Sequence, residues 1–123
     1  MLLALDWFFL IFHSVLVIFN ITGWALARTR KLNLITLLLT GISWTAVGMF
    51  YGRIGYCVCT DWHWSIRRQL GYHDRSSTYI QFLVERTVGI VPDLFWTQVV
   101  SATAFLIALT MSIVLNIRDA RRA

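Results

Sequence analysis

Residues 7–27 read WFFLIFHSVLVIFNITGWALA, 21 positions without a formal charge. At about 1.5 Å per helical residue that is enough to cross a hydrocarbon core roughly 30 Å thick. A chain in lipid has to satisfy its backbone hydrogen bonds internally, so the run is expected as a transmembrane helix. Two more uncharged runs follow, Leu32 to Gly52 and Leu94 to Ile117. The chain is 58% hydrophobic and 14% charged, where a soluble domain has about a quarter of its residues charged. These proportions exclude both a solvated globule and a disordered chain. The first run opens with Met1-Leu2-Leu3 and Asp6, without a basic leader or a small-residue cleavage site, and is expected to remain in the mature protein.

The expected fold class is an all-α membrane protein, one helical membrane domain over residues 1–123. Its three transmembrane helices fall at about 7–27, 32–52 and 94–117, with an outer segment of residues 53–93 between spans 2 and 3. That segment holds five Arg, four acids, two His and both Cys. Its apolar part, Tyr79 to Val91, has 13 residues and carries Glu85-Arg86 in its middle. Each of that pair would cost about 2.5–3.5 kcal/mol at a bilayer centre, so the stretch does not span. Thr78 and Gln81 have the spacing of a capping box and Gly89 that of a helix stop, which predicts a short interfacial or partly embedded helix.

Orientation follows from the basic residues. The connector Arg28-Thr29-Arg30-Lys31 carries three basic residues and no acid, and the tail from Arg118 to Arg122 three Arg and one Asp. By the positive-inside rule both lie in the cytoplasm, with the N-terminus outside, as three spans require. The surplus of 11 Lys+Arg over 6 Asp+Glu is therefore an orientation signal, and no basic groove for nucleic acid is present. The bilayer is the certain partner. A membrane-protein partner or a second copy is the further expectation.

Chemistry concentrates in two places. Asp6, His13 and Asn20 recur every seven residues and line one helix face. An imidazole at mid-span can ligate haem iron, relay protons or hydrogen-bond a quinone carbonyl, and it can equally serve as interhelical glue. Haem would need a second ligand from elsewhere. Trp44 lies inside the second span beside Thr36, Thr40 and Ser43, and Ser101, Ala104, Ala108 and Ser112 form a small-residue stripe on the third.

The other place is Cys57-Val58-Cys59-Thr60-Asp61-Trp62-His63, followed by Arg67-Arg68 and His73. Three readings stand. Cys57, Cys59, His63 and His73 bind zinc or copper, although one residue between the Cys is tighter than usual zinc spacing. Alternatively the Cys pair is redox-active or disulfide-bonded in an oxidising compartment. Or the Cys are small buried residues, Thr60 or Asp61 caps a helix from Trp62 to Leu70, and Arg67, Arg68, Trp62 and Trp64 meet the lipid interface.

On these residues the chain resembles the Domain of Unknown Function (DUF) 2784 proteins of bacterial membranes. Their hallmark resembles Cys-Pro-Leu-Thr-x-x-Glu after the second span, which Cys57-Val58-Cys59-Thr60-Asp61-Trp62-His63 matches at Cys57 and Thr60. His13, Trp44, Gly71, Tyr72, Tyr79 and Ile80 extend the likeness. Val58-Cys59 replaces Pro-Leu, and His63 replaces a frequent acid. The resemblance implies three spans plus a partly embedded segment, and supplies no reaction.

No nucleophile triad, carboxylate pair or phosphate loop is present, so ordinary hydrolase or kinase chemistry is not expected and the sequence requires no cofactor. The leading expectation is a non-enzymatic accessory or assembly subunit of an inner-membrane complex. The alternative is a redox or metal- or haem-handling membrane protein using the Cys/His motif. Transport, with Asp6, His13 and Asn20 as relay, is a third.

Overall fold

The computed structural model describes all 123 residues, and every element is helical. α1 spans Leu2–Thr22, α2 Arg30–Phe50, α3 Val58–Gln69, α4 Tyr79–Val88 and α5 Leu94–Arg122. α1, α2 and α5 are long and apolar enough to cross a membrane, and mark a multi-pass membrane protein. Their boundaries differ from the expected spans. α1 begins five residues earlier and stops at Thr22, which puts Asp6 inside the helix. α5 runs on through Arg118 to Arg122.

The α1–α2 hairpin is closed by side chains that satisfy the helix-end carbonyls. Asn33 Nδ2 donates to Phe19 O at 2.7 Å, Thr29 Oγ1 to Gly23 O at 2.6 Å and Arg30 Nε to Trp24 O at 2.9 Å. A Cβ on Gly23 would stand 2.8 Å from Asn33 Nδ2, so this turn requires glycine. α5 lies antiparallel to α2. Arg30 pairs with Asp119 at 2.7 Å, Asn116 Nδ2 donates to Arg30 O at 3.1 Å, and Trp44 tilts against Phe105 with centroids 4.9 Å apart. Ala108 and Ser112 of the small-residue stripe are buried, while Ser101 and Ala104 are half-buried.

The segment between α2 and α5 does not stay beyond the spans. Ser43–Val47 forms a π-helical turn in α2, and such a turn shifts the backbone pairing and frees carbonyls. Trp44 O accepts from Gly55 N at 2.9 Å, Gly48 O from Arg53 N at 2.7 Å, and Ser43 Oγ donates to Tyr56 O at 3.0 Å. Gly52 and Gly55, with φ of 68° and 86°, allow the reversal. The chain thus leaves α2, doubles back beside it to the level of Ser43, and only then starts α3. α3 climbs antiparallel to α1, and α4 packs over both. Within residues 53–93, Cys57 and Tyr79 reach the level of His13 in the middle of α1, which makes part of this segment embedded in the bundle.

α4 forms as its sequence dictates. Thr78 Oγ1 accepts from Gln81 N while Gln81 Oε1 accepts from Thr78 N, and Gly89 ends the helix at φ 83°. α3 begins at Val58 with Cys57 as its N-terminal boundary residue in extended conformation, and no side chain makes a capping hydrogen bond. The expected caps Thr60 and Asp61 therefore lie within the first turn, and Asp61 instead accepts from Tyr56 Oη at 3.0 Å.

Candidate functional site

Asp6, His13 and Asn20 are the three buried residues of α1, so the stripe faces the bundle and its apolar neighbours face outward. Each meets a different part of the chain. Asn20 Nδ2 donates to Thr40 Oγ1 on α2 at 2.9 Å, which is interhelical glue. Asp6 and His13 are met by α3 and α4.

Asp6 anchors a buried ionic cluster. His63 Nε2 donates to Asp6 Oδ1 at 2.7 Å, and Arg67 Nη1 reaches both Asp6 oxygens at 3.1 and 3.3 Å. Arg67 also grips Asp74 through Nε at 2.7 Å and Nη2 at 2.9 Å. Its guanidinium lies 4.5 Å from the Tyr72 ring centroid and 4.7 Å from that of Phe82. His63 is fully buried among Phe9, Trp64, Tyr79 and Phe82. Burial in that apolar cage lowers the His63 pKa, against the opposite pull of Asp6. The neutral imidazole follows, with Nε2–H on Asp6 and Nδ1 unpartnered.

One level deeper lies the thiol site. His13 Nε2 stands 3.6 Å from Cys57 Sγ. The Tyr79 ring lies nearly flat on the imidazole, centroids 3.8 Å apart and planes 18° apart, and Tyr79 Oη bonds Leu10 O and Ser14 Oγ at 2.9 Å each. These contacts fix the His13 ring against α4. Cys57 sits at the N-terminus of α3, where the helix dipole favours a thiolate. The neighbouring Cys59 thiol, and after it His13, pull the Cys57 pKa well below that of a free thiol although burial opposes them. Cys59 is pushed upward by Cys57 and by burial. Both cysteines are free and half-buried. His13 Nδ1 is buried without a partner, which costs about 1–3 kcal/mol in a site with no acceptor.

The proposed metal set is not assembled. His63 is turned onto Asp6, and His73 lies at an exposed hollow with Trp64, Arg68, Tyr72 and Asp74. No three His, Cys, Asp or Glu side chains converge where a metal ion would sit, so these residues do not fit zinc or copper as arranged. Arg67, expected at lipid phosphates, is buried, and Trp64 is half-buried with its indole N–H on Ser76 O at 3.2 Å. Arg68 and Trp62 are exposed, as an interfacial role requires. Arg67, Asp74 and Tyr79 were not singled out from sequence as site residues. His63 and Arg67 share a helix face four residues apart, and that spacing was the available signal.

The family described as Protein of Unknown function (DUF2784) matches residues 3–117, almost the whole chain. The chain belongs to this family. The DUF2784 assignment covers α1, the thiol site, the ionic cluster and α5 up to Ile117 together. No curated protein and no solved structure matches the chain.

Proposed function

We propose that this DUF2784 protein is a redox-active dithiol protein of the bacterial inner membrane, with Cys57 as nucleophile and Cys59 as its partner. The observation that carries this reading is the 3.6 Å approach of His13 Nε2 to Cys57 Sγ at the start of α3. A thiol beside an imidazole and a helix N-terminus is held toward its reactive form. The Cys57 thiolate attacks a disulfide sulfur, forming one S–S bond and releasing one thiolate. The Cys59 sulfur then displaces the second group and leaves a Cys57–Cys59 disulfide.

The α1–α2 connector and the α5 tail carry the basic residues, so that end of the bundle is assigned to the cytoplasm, and the thiol site to the opposite, oxidising side. An assembly role has less support from the structure, because Ala108 and Ser112 of its motivating stripe are buried within the chain's own bundle.

The test is the rate of iodoacetamide alkylation of each cysteine against pH in the detergent-solubilised protein. Cys57 is expected to react at neutral pH far faster than a free thiol of ordinary pKa, with His13→Gln slowing it. Mild oxidation is expected to link Cys57 to Cys59 by loss of two hydrogens. A Cys57 that titrates as a free thiol in both forms overturns the reading.

A further inference from the structure

α5 is longer than the membrane it crosses. Its 29 residues extend about 43 Å at 1.5 Å per residue, against a hydrocarbon core roughly 30 Å thick. The apolar run fills that thickness and ends at Ile117, so the last turns stand at the level of lipid headgroups. The helix continues without a break to Arg122, and its rotation is fixed by α2: Arg30 Nη1 holds Asp119 at 2.7 Å, and Asn116 Nδ2 donates to Arg30 O at 3.1 Å. Arg118, Arg121 and Arg122, three and four residues apart, share one face. That face is turned away from Asn116 and Asp119. Val114 and Ile117 lie one turn below Arg118 and Arg121 on it, and are 54% and 47% exposed. The five side chains line an open hollow of about 460 Å³, apolar toward the hydrocarbon and cationic toward the headgroups.

The second observation is the lack of acids. Asp119 is the carboxylate nearby, and it gives Oδ2 to Arg30, while its Oδ1 lies 3.8 Å from Arg118 Nε, beyond hydrogen-bond reach. Arg121 and Arg122 meet no carboxylate, and all three guanidiniums are exposed. The other end of the bundle differs: Arg67 is held by Asp6 and Asp74, Arg75 by Glu85, and Arg86 stacks over Trp7. Orientation by the positive-inside rule needs only a number of basic residues. A row of unpaired guanidiniums set above exposed apolar side chains has in addition the layout of an acidic lipid, phosphate above and acyl chain below. One singly charged headgroup leaves most of that row unmatched. Two phosphates can accept from all three arginines, whose paired N–H donors suit phosphate oxygens.

We propose that the Arg118, Arg121 and Arg122 face of α5 binds an acidic phospholipid carrying two phosphate groups, with an acyl chain along Val114 and Ile117. The site is separate from the thiol chemistry and stands or falls without it.

The experiment uses the full chain in a mild non-ionic detergent, titrated in turn with diphosphatidylglycerol, phosphatidylglycerol and phosphatidylcholine, with retained lipids counted by native mass spectrometry. One diphosphatidylglycerol per chain is expected. Phosphatidylglycerol, with one charge fewer, is expected to bind about fivefold more weakly, and phosphatidylcholine not to be retained. Arg118→Gln, Arg121→Gln and Arg122→Gln are each expected to weaken retention of diphosphatidylglycerol about fivefold, the equivalent of about 1 kcal/mol per basic residue beside acidic lipid. These side chains are exposed, so the variants keep the fold, which circular dichroism checks. Arg68→Gln, an exposed arginine on α3, is expected to change nothing. Equal retention of the three lipids, or full retention by the triple variant, overturns the site. A loss with Arg68→Gln as large as with Arg121→Gln reduces the effect to net charge and overturns it too. Phosphatidylglycerol held as tightly as diphosphatidylglycerol overturns the second phosphate. Displacement of the lipid by excess inorganic phosphate overturns a lipid occupant in favour of a free anion.

Discussion

His63 Nε2 lies 2.7 Å from Asp6 Oδ1 across 57 residues of sequence, and joins α3 to the first turns of α1 inside the bundle. Asp6 also carries Arg67, so one carboxylate holds an imidazole and a guanidinium that have both left solvent. Breaking such a buried set by removing one member leaves a charge unpaired.

Asp6→Ala is therefore expected to destabilise the fold by about 3–5 kcal/mol, the usual cost of stripping one partner from a buried ion pair. Arg67 keeps Asp74, which places the loss at the lower end. Unfolding in mild detergent, followed by circular dichroism, measures it. Residues 70–78 are also expected to become sensitive to protease, because α3 loses its tie to α1.

The pH dependence has a definite sign. Burial holds the folded-state pKa of His63 below its ordinary 6.5, so the unfolded chain takes up the proton first. Stability from this group is complete above about pH 6.5 and is lost as pH falls from there toward the lower folded value. The unfolding midpoint should drop between pH 7.5 and pH 5, and His63→Gln should flatten that change. A midpoint in the unsubstituted chain that rises on acidification would contradict the buried neutral imidazole.

Tyr79 separates two contributions. Tyr79→Phe removes the hydroxyl bonds to Leu10 O and Ser14 while the ring remains on His13. It should cost about 1 kcal/mol and leave Cys57 alkylation unchanged. Tyr79→Ala removes the ring, frees the His13 imidazole and should slow alkylation at neutral pH. Measuring both rates beside both stabilities distinguishes a positioning role from simple packing.

Gly48 is tightly constrained. A Cβ there would overlap the Arg53 carbonyl, on the segment that doubles back beside α2. Gly48→Ala should cost about 1–3 kcal/mol, the range for overpacking a close contact. It should also displace Cys57 from His13, seen as slower alkylation in protein that remains folded.

Much of this was written locally. Seven-residue spacing alone placed Asp6, His13 and Asn20 on one face, and burial of those three follows from the hydrophobicity of everything around them on α1. The Thr78–Gln81 box and Gly89 determine α4 within ten residues. The return of the chain beside α2 was not legible, because it is held by bonds from Arg53, Gly55 and Tyr56 back to Gly48, Trp44 and Ser43 that no local sequence signal announces. The Asp6–His63–Arg67–Asp74 cluster was hidden for a similar reason: its members look like separate interfacial charges until α3 is known to run antiparallel to α1. Sequence showed that His63 and Cys57 were chemically suited to one metal, but not that six helical residues would separate them by about 9 Å along α3.

A reporter fused after Ala123 tests the orientation. A fluorescent protein that matures only in the cytoplasm should light up there, and an alkaline phosphatase fusion at the same point should stay inactive. The opposite pattern would move the thiol site to the reducing side and remove the setting for a stable Cys57–Cys59 disulfide.

The polar face of α1 also sets an order of events during synthesis. Asp6, His13 and Asn20 enter the bilayer before any of their partners has been made. Thr40 arrives with the second helix and relieves Asn20, but Cys57, His63, Arg67 and Tyr79 follow only after that hairpin is finished. For that interval the nascent protein holds a carboxylate and an imidazole in lipid without their native contacts. The time-limiting stage of its biogenesis should be the docking of two half-length helices onto a hairpin already in place, and a ribosome stalled while α3 and α4 are still inside its exit tunnel should trap it there.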